Sequence, residues 1–309
     1  MKKILNVFII VLFAILIVGC NVGSGTKYSV IMPTGAPSIA LADFVKNNQE
    51  ELDVEIVKGS DPLAAAFTKG NYDIIVAPVN LGAQFFNKVE DFEYVLYKPI
   101  VGCNYYILSS EVNEFSELDG KEMAAFGASS TPGVMLKALM SHHGIEATVK
   151  YQNSVDDVNG LLAAESVKTI LTAEPSKTVR FGDKNYAQID IAKLWKEMAG
   201  ADYDIPQAGI FVKKSYIGRG KINQILESME ASIALSVDNP TTLAESAILV
   251  DENFKKMNVD KLATAIPNCN FLTKELNIEE VEYYFTKLIE LGLEASIGGK
   301  LPEREFYFD

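Results

Sequence analysis

Short apolar runs of strand length alternate with segments of helical periodicity over most of this chain, and that alternation points to an α/β fold built on parallel sheet. Residues 28–33 read as strand, Thr34-Gly35-Ala36-Pro37-Ser38 as a turn, and Ile39, Leu41, Ala42, Phe44 and Val45 as the apolar face of a helix. Residues 54–57 form a second strand, 62–68 a helix with its alanines inward, and 73–77 a buried strand that stops at Pro78. The stretch 93–107 is long, β-rich and broken by Pro99 and Gly102, so it reads as a segment that leaves one sheet and enters another. A second series follows: strand 121–126, helix 132–143, strand 148–151, helix 155–164, strand 168–172, then an amphipathic helix 191–199 and a β run 207–212. Beyond Tyr216 the pattern is helical over 217–237, 241–256 and 278–291, with Pro240 and Pro267 as breakers. No repeat or low-complexity tract interrupts the series.

The first twenty residues are of another kind. Lys2 and Lys3 precede an apolar run over 4–18, interrupted only by Asn6, that ends in Ile17-Val18-Gly19-Cys20. The run lies at or below the roughly 17–25 residues of a spanning helix. Its ending resembles a lipobox, which implies a signal peptide over 1–19, lipid on Cys20, a polar tether over 20–26, and a body working outside the membrane; a plain membrane-anchor helix is the alternative. The formal charge of −13 argues against a basic face for nucleic acid or anionic lipid. Of 28 basic residues only Arg180, Arg219 and Arg304 are arginine, a lysine bias that leans toward a Gram-positive source.

Besides Cys20 the chain has Cys103 and Cys269, far apart and without a C-x-x-C pair or neighbouring histidine, so no metal site is expected. They read as two small core residues, with a disulfide between them as the alternative.

Two α/β series with two extended crossings resemble the type II periplasmic-binding-protein architecture. P-T-G-A-P-S (33–38), G-N-Y-D-I-I-V-A-P (70–78), E-L-D-G-K-E-M-A-A-F-G-A-S-S-T-P (117–132) and T-A-E-P-S (172–176) carry the likeness. In order and spacing they are similar to the solute-binding proteins for nitrate, taurine, alkanesulfonates and thiamine-precursor pyrimidines. The resemblance implies one lobe from 27–102 and 210–309 and another from 103–209. It also implies a monomer, tethered by its lipid, that passes a small polar organic solute to an ABC permease and its ATPase subunit and needs no cofactor.

In open α/β sheets ligands sit beyond the carboxyl ends of the strands. The loops there offer Thr34, Gly35 and Ser38, then Asn80, then Ser129, Ser130 and Thr131, then Glu174, with Tyr105 or Tyr106 as an aromatic wall. Gly35 and Gly127 permit sharp turns, and the hydroxyl residues stand where helix N-caps are expected, so capping competes with ligand binding as their role. None of these loops contains arginine, which disfavours a bidentate grip on sulfonate, phosphate or carboxylate and favours a polar, neutral or zwitterionic ligand.

The resembling superfamily includes a thiamine-pyrimidine synthase and enzymes of menaquinone synthesis. The cysteine-rich signature of the former is missing, and His142 and His143 read as a solvated helix end before Gly144. Gly127-Ala128-Ser129-Ser130-Thr131 lacks the closing glycine of G-x-S-x-G, and neither a P-loop nor a zinc motif occurs. The motifs therefore predict a binding protein rather than an enzyme, with a tethered sensor or an enzyme of the same superfold as alternatives.

Overall fold

The computed structural model describes residues 27–218 and 220–308. The expected signal peptide over 1–19, with Cys20 and the tether expected over 20–26, lies outside the described residues.

The chain runs β1 (Tyr28–Pro33), α1 (Ala36–Ala40), α2 (Ala42–Asn47), β2 (Leu52–Val57), α3 (Asp61–Lys69), β3 (Ile74–Pro78), α4 (Val79–Lys88) and β4 (Tyr94–Val101). It crosses to β5 (Tyr105–Ser109), β6 (Glu122–Phe126), α5 (Thr131–His143), β7 (Thr148–Gln152), α6 (Val155–Ala163), β8 (Thr169–Ala173), α7 (Ser176–Phe181), β9 (Ala187–Asp190) and α8 (Ile191–Ala199). It returns through β10 (Ala208–Lys213) to α9 (Gly220–Asp238), α10 (Pro240–Val250), α11 (Val259–Ala265) and α12 (Ile278–Glu290).

Two five-stranded sheets result, ordered β2-β1-β3-β10-β4 and β7-β6-β8-β5-β9. In each, four strands run in one direction and the fourth in order, supplied by a crossing segment, runs antiparallel to both its neighbours: β10 against β3 and β4, β5 against β8 and β9. This is the two-lobed α/β class that the alternation predicts. The long β-rich stretch does change sheets, because Gly102 to Asn104 separates β4 from β5.

Period-two alternation sets the packing. Val30, Met32, Ile74, Val76, Ile210 and Val212 face one core with α1, α2 and α9. Ile31, Ile75, Ala77 and Phe211 face another that continues into the second lobe through Tyr105, Ile107, Leu136 and Leu171. Gly82 in α4 permits that packing, since a Cβ there would lie 2.1 Å from Phe211 Cζ. The helix α12 joins the lobes: Tyr284 packs edge-on to Trp195 at 5.7 Å, and Tyr283 donates its hydroxyl to Ala199 O at 2.7 Å.

Candidate functional site

The carboxyl ends of β1, β6 and β8 face one another across a cavity of about 170 Å³ between the lobes. Its walls are the turn after β1, the 58–60 loop after β2, the turn after β6, residues 153–156, the 173–176 turn, and Asn253, Phe254 and Met257 beyond α10; Tyr105, Gln207 and Ala208 form the floor at the crossings.

The first-lobe turn depends on Gly35, whose φ of +113° an L side chain rarely adopts. Gly35 is the N-cap of α1 and no side chain caps that helix. Ser38 is buried inside α1 and serves a different end, donating its hydroxyl to Asp251 Oδ2 at 2.7 Å. Thr34, which lines the cavity, donates to the same oxygen at 2.7 Å, and Oδ1 accepts from the backbone N and Nδ2 of Asn253 at 2.9 and 2.8 Å. Asp251 thus fixes the turn from the helical side. Nothing in its sequence neighbourhood marks it, because Thr34 and Ser38 lie more than 200 residues away.

The second-lobe turn depends on Gly127 (φ +68°) and on Gly133, where a Cβ would sit 2.4 Å from Gly127 O. Ser130 is the N-cap of α5 but makes no side-chain cap; its hydroxyl points at Gly127 O, 3.4 Å away, and the residue lines the cavity. Ser129 is exposed and Thr131 fully buried, and neither is among the lining residues. Thr131 instead ties the lobes, its hydroxyl shared between Asn80 Oδ1 at 3.0 Å and Gln207 O at 3.2 Å, while Asn80 Nδ2 reaches Ser296 O at 3.3 Å. Asn80 is also fully buried away from the lining, at the start of α4. The sequence pattern does not signal that helix, because it follows β3 without an intervening polar segment.

Glu174 lines the cavity, yet its carboxylate is engaged with its own lobe. It accepts from Thr178 N at 3.0 Å and Thr178 Oγ1 at 2.8 Å, and Lys177 Nζ lies 3.1 Å away. Lys177 rests over the Tyr106 ring at 4.1 Å, and burial first, then Asp190 and Glu174, pushes the Tyr106 hydroxyl up to about 12. Tyr105 forms part of the floor, edge-on to Phe126 at 6.1 Å.

Polar contacts bridge the lobes around the cavity. Lys58 of the first lobe approaches Asp156 of the second at 3.8 Å, and Arg180 holds the other Asp156 oxygen at 2.7 Å. Elsewhere Lys261 meets Asp183 at 3.0 Å and Asn268 Nδ2 reaches Thr178 Oγ1 at 3.4 Å. At the crossings, Asp204 accepts from Cys103 N at 3.1 Å and Asn270 Nδ2 at 2.8 Å, stitching both crossings to the segment before α12.

Cys103 and Cys269 are free and buried, and burial pushes both thiols up, which holds them protonated and unreactive. His142 and His143 are exposed at the end of α5 before Gly144. Among the described residues no group of three or more His, Cys, Asp or Glu is placed to hold a metal ion.

An ABC transporter structure from Parabacteroides distasonis is similar to this chain with a TM-score of 0.72 at 18% identity, covering 92% of this chain and 99% of its own. The ligand-binding component of an ABC-type import system from Staphylococcus aureus, with zinc bound, gives 0.66 at 12% (92% and 96% covered). The periplasmic aliphatic sulphonate binding protein of Escherichia coli gives 0.68 at 11% (93% of each). At these identities the likeness shows the fold, that of the type II periplasmic-binding proteins. No curated protein matches the chain. A family profile described as menaquinone biosynthesis does match, over residues 38–288. That match corrects the expectation, drawn from missing catalytic motifs, that the chain is not an enzyme: the profile is that of a biosynthetic family. Spanning most of the sequence, the match means that the chain belongs to the menaquinone-biosynthesis family.

Proposed function

We propose that this protein captures a small polar organic molecule between its lobes outside the membrane, tethered by lipid on Cys20, and delivers it to an ABC permease with its ATPase subunit. The observation that carries the reading is the cavity itself, which lies at the carboxyl ends of both sheets and is lined by Lys58 of one lobe paired with Asp156 of the other. An exposed pair such as Lys58 with Asp156 is worth about 0–1 kcal/mol, so it biases closure while still allowing release. The likeness to the Parabacteroides and Staphylococcus proteins, both named as parts of ABC systems, supports delivery. The Ile17-Val18-Gly19-Cys20 ending supports the anchor, and the lysine bias a Gram-positive source.

Family membership favours a second reading, in which the captured molecule is converted in the cleft as a step of menaquinone synthesis. Both readings require capture, and they differ in what leaves. A thermal-shift screen of metabolites, followed by mass spectrometry of the hit after prolonged incubation and release, separates them: an unchanged mass supports delivery, a changed one conversion. Metabolic labelling with a fatty-acid analogue should mark the wild type and not Cys20→Ala; equal labelling of both removes the anchor from the proposal.

A further inference from the structure

The chain's formal charge of −13 is unevenly placed. Residues 213–221, which lead from β10 into α9, contain four basic residues and no acidic one. Because β10 runs antiparallel to β3, and β3 parallel to β1, this connection lies at the amino end of β1, on the far side of the first lobe from the cavity. Tyr216 packs edge-on to Tyr28 at 5.6 Å, and Lys221 Nζ lies 5.7 Å from the centre of the same ring. The basic connection therefore borders the point where the tether expected over 20–26 enters the fold, and Lys27 adds a further cation there.

Lys214 and Lys221 are exposed, and Ile217 stands 40% exposed between them in the sequence. Neighbouring carboxylates take up part of the charge: Lys221 lies 3.5 Å from Glu51 and Lys213 3.4 Å from Glu93, while Lys214 rests over the Phe86 ring. Exposed lysines around an apolar side chain suit the interface of an anionic bilayer, where each lysine strengthens binding about fivefold. Seven extended residues reach at most about 25 Å, so a lipid on Cys20 keeps this end of the first lobe beside the bilayer, at an effective concentration on the order of millimolar. A contact too weak to hold a free protein is populated at that concentration.

Resting on the lipid anchor of the reading above, we propose that Lys27, Lys214, Ile217 and Lys221 form a face that docks onto anionic phospholipid headgroups. The rest of the chain carries more acidic than basic residues and is repelled by the same headgroups. The contact thus stands the protein on its first lobe, with the cavity held off the bilayer by about 20 Å, the length of the six-residue β1.

The test uses protein extracted from the membranes of an expressing bacterium and reconstituted into vesicles of phosphatidylcholine, alone or mixed with phosphatidylglycerol. A fluorophore is placed through Ser215→Cys on an exposed residue beside Lys214; Cys103 and Cys269 are buried and escape labelling. Lipids with a quencher on the headgroup should quench this probe at least about threefold more in the anionic vesicles than in the neutral ones. A probe placed through Ser166→Cys, exposed at the amino end of β8 in the second lobe, should be quenched equally little in both. Lys214→Gln with Lys221→Gln should lower the ratio of docked to undocked protein about tenfold or more, and Lys214→Arg with Lys221→Arg should leave it unchanged. The proposal is overturned if the Ser215 probe is quenched equally in both vesicles, if the Ser166 probe is quenched as strongly, or if the double glutamine variant changes nothing. Flotation tests the anchor separately. Protein that floats with the vesicles while its Ser215 probe stays unquenched leaves the anchor standing and sinks the face, whereas protein left behind by both kinds of vesicle removes anchor and face together.

Discussion

Replacing Glu174 by glutamine separates a ligand contact from a structural brace. The Glu174 side chain has no solvent exposure, and its two oxygens serve the Thr178 amide, the Thr178 hydroxyl and Lys177. Glutamine keeps the shape and one acceptor, which the Thr178 amide can retain. It turns an NH2 toward Lys177, whose ammonium then loses its only paired carboxylate among the described residues while remaining just 14% exposed. Breaking a fully buried pair costs about 3–5 kcal/mol, and the partial exposure of Lys177 with its seat on Tyr106 reduces this to about 2–3 kcal/mol. Urea unfolding should show that loss as a lower midpoint at unchanged slope, and calorimetry with a ligand from the metabolite screen should show affinity falling less than about threefold, because no carboxylate lone pair is committed to the cleft. A variant as stable as wild type to within about 0.5 kcal/mol that no longer binds would refute the bracing account and make Glu174 a direct ligand contact.

Further substitutions probe the frame of the site. Gly82→Ala forces a Cβ into the Phe211 ring and should destabilise by about 1–3 kcal/mol in urea unfolding without changing affinity. Asp251→Ala strands the Thr34 hydroxyl, leaves Ser38 only Gly35 O to donate to, and should cost about 1–3 kcal/mol together with weaker binding, whereas Asp251→Asn, which keeps one acceptor, should cost about half as much. Thr131→Val removes the strut to Asn80 and should lower stability by about 1–2 kcal/mol in the same assay. Lys58→Met should change stability by less than about 1 kcal/mol while raising the ligand off-rate in stopped-flow measurements, since Lys58 is exposed and spans the lips.

Much of the fold is legible because central strands are buried on both faces and so read as short runs rich in apolar residues: Ile74–Pro78 is an example. Elements that begin without a local signal are missed. The helix Val79–Lys88 starts directly on Pro78, and Ser176–Phe181 is a bare turn and a half inside what reads as a loop. The predicted helix over 241–256 instead ends at Val250, where Asp251 turns inward to the first lobe, and the helical register resumes at Val259. At the site, glycine chemistry is visible in the sequence because Gly35 and Gly127 must adopt positive φ. The hydroxyl residues beside them suggest capping, but the structure gives Ser38 to Asp251 and Thr131 to Asn80, partners fixed only by tertiary packing. Gln207 and Asp251 carry no sequence signal, for each acquires its role from segments distant in the chain.

Capture of a small molecule in the interlobe cavity is tested most directly by filling that cavity. Ala173, at the end of β8, lines it and is 8% exposed, so Ala173→Phe places a ring where a ligand would sit. Wild type and variant are each incubated with an extract of small metabolites, desalted rapidly and denatured, and the released molecules are compared by mass spectrometry. One or a few masses should be enriched with wild type and absent from a folded Ala173→Phe. Equal recovery from both proteins, or no enrichment from either, would contradict the account.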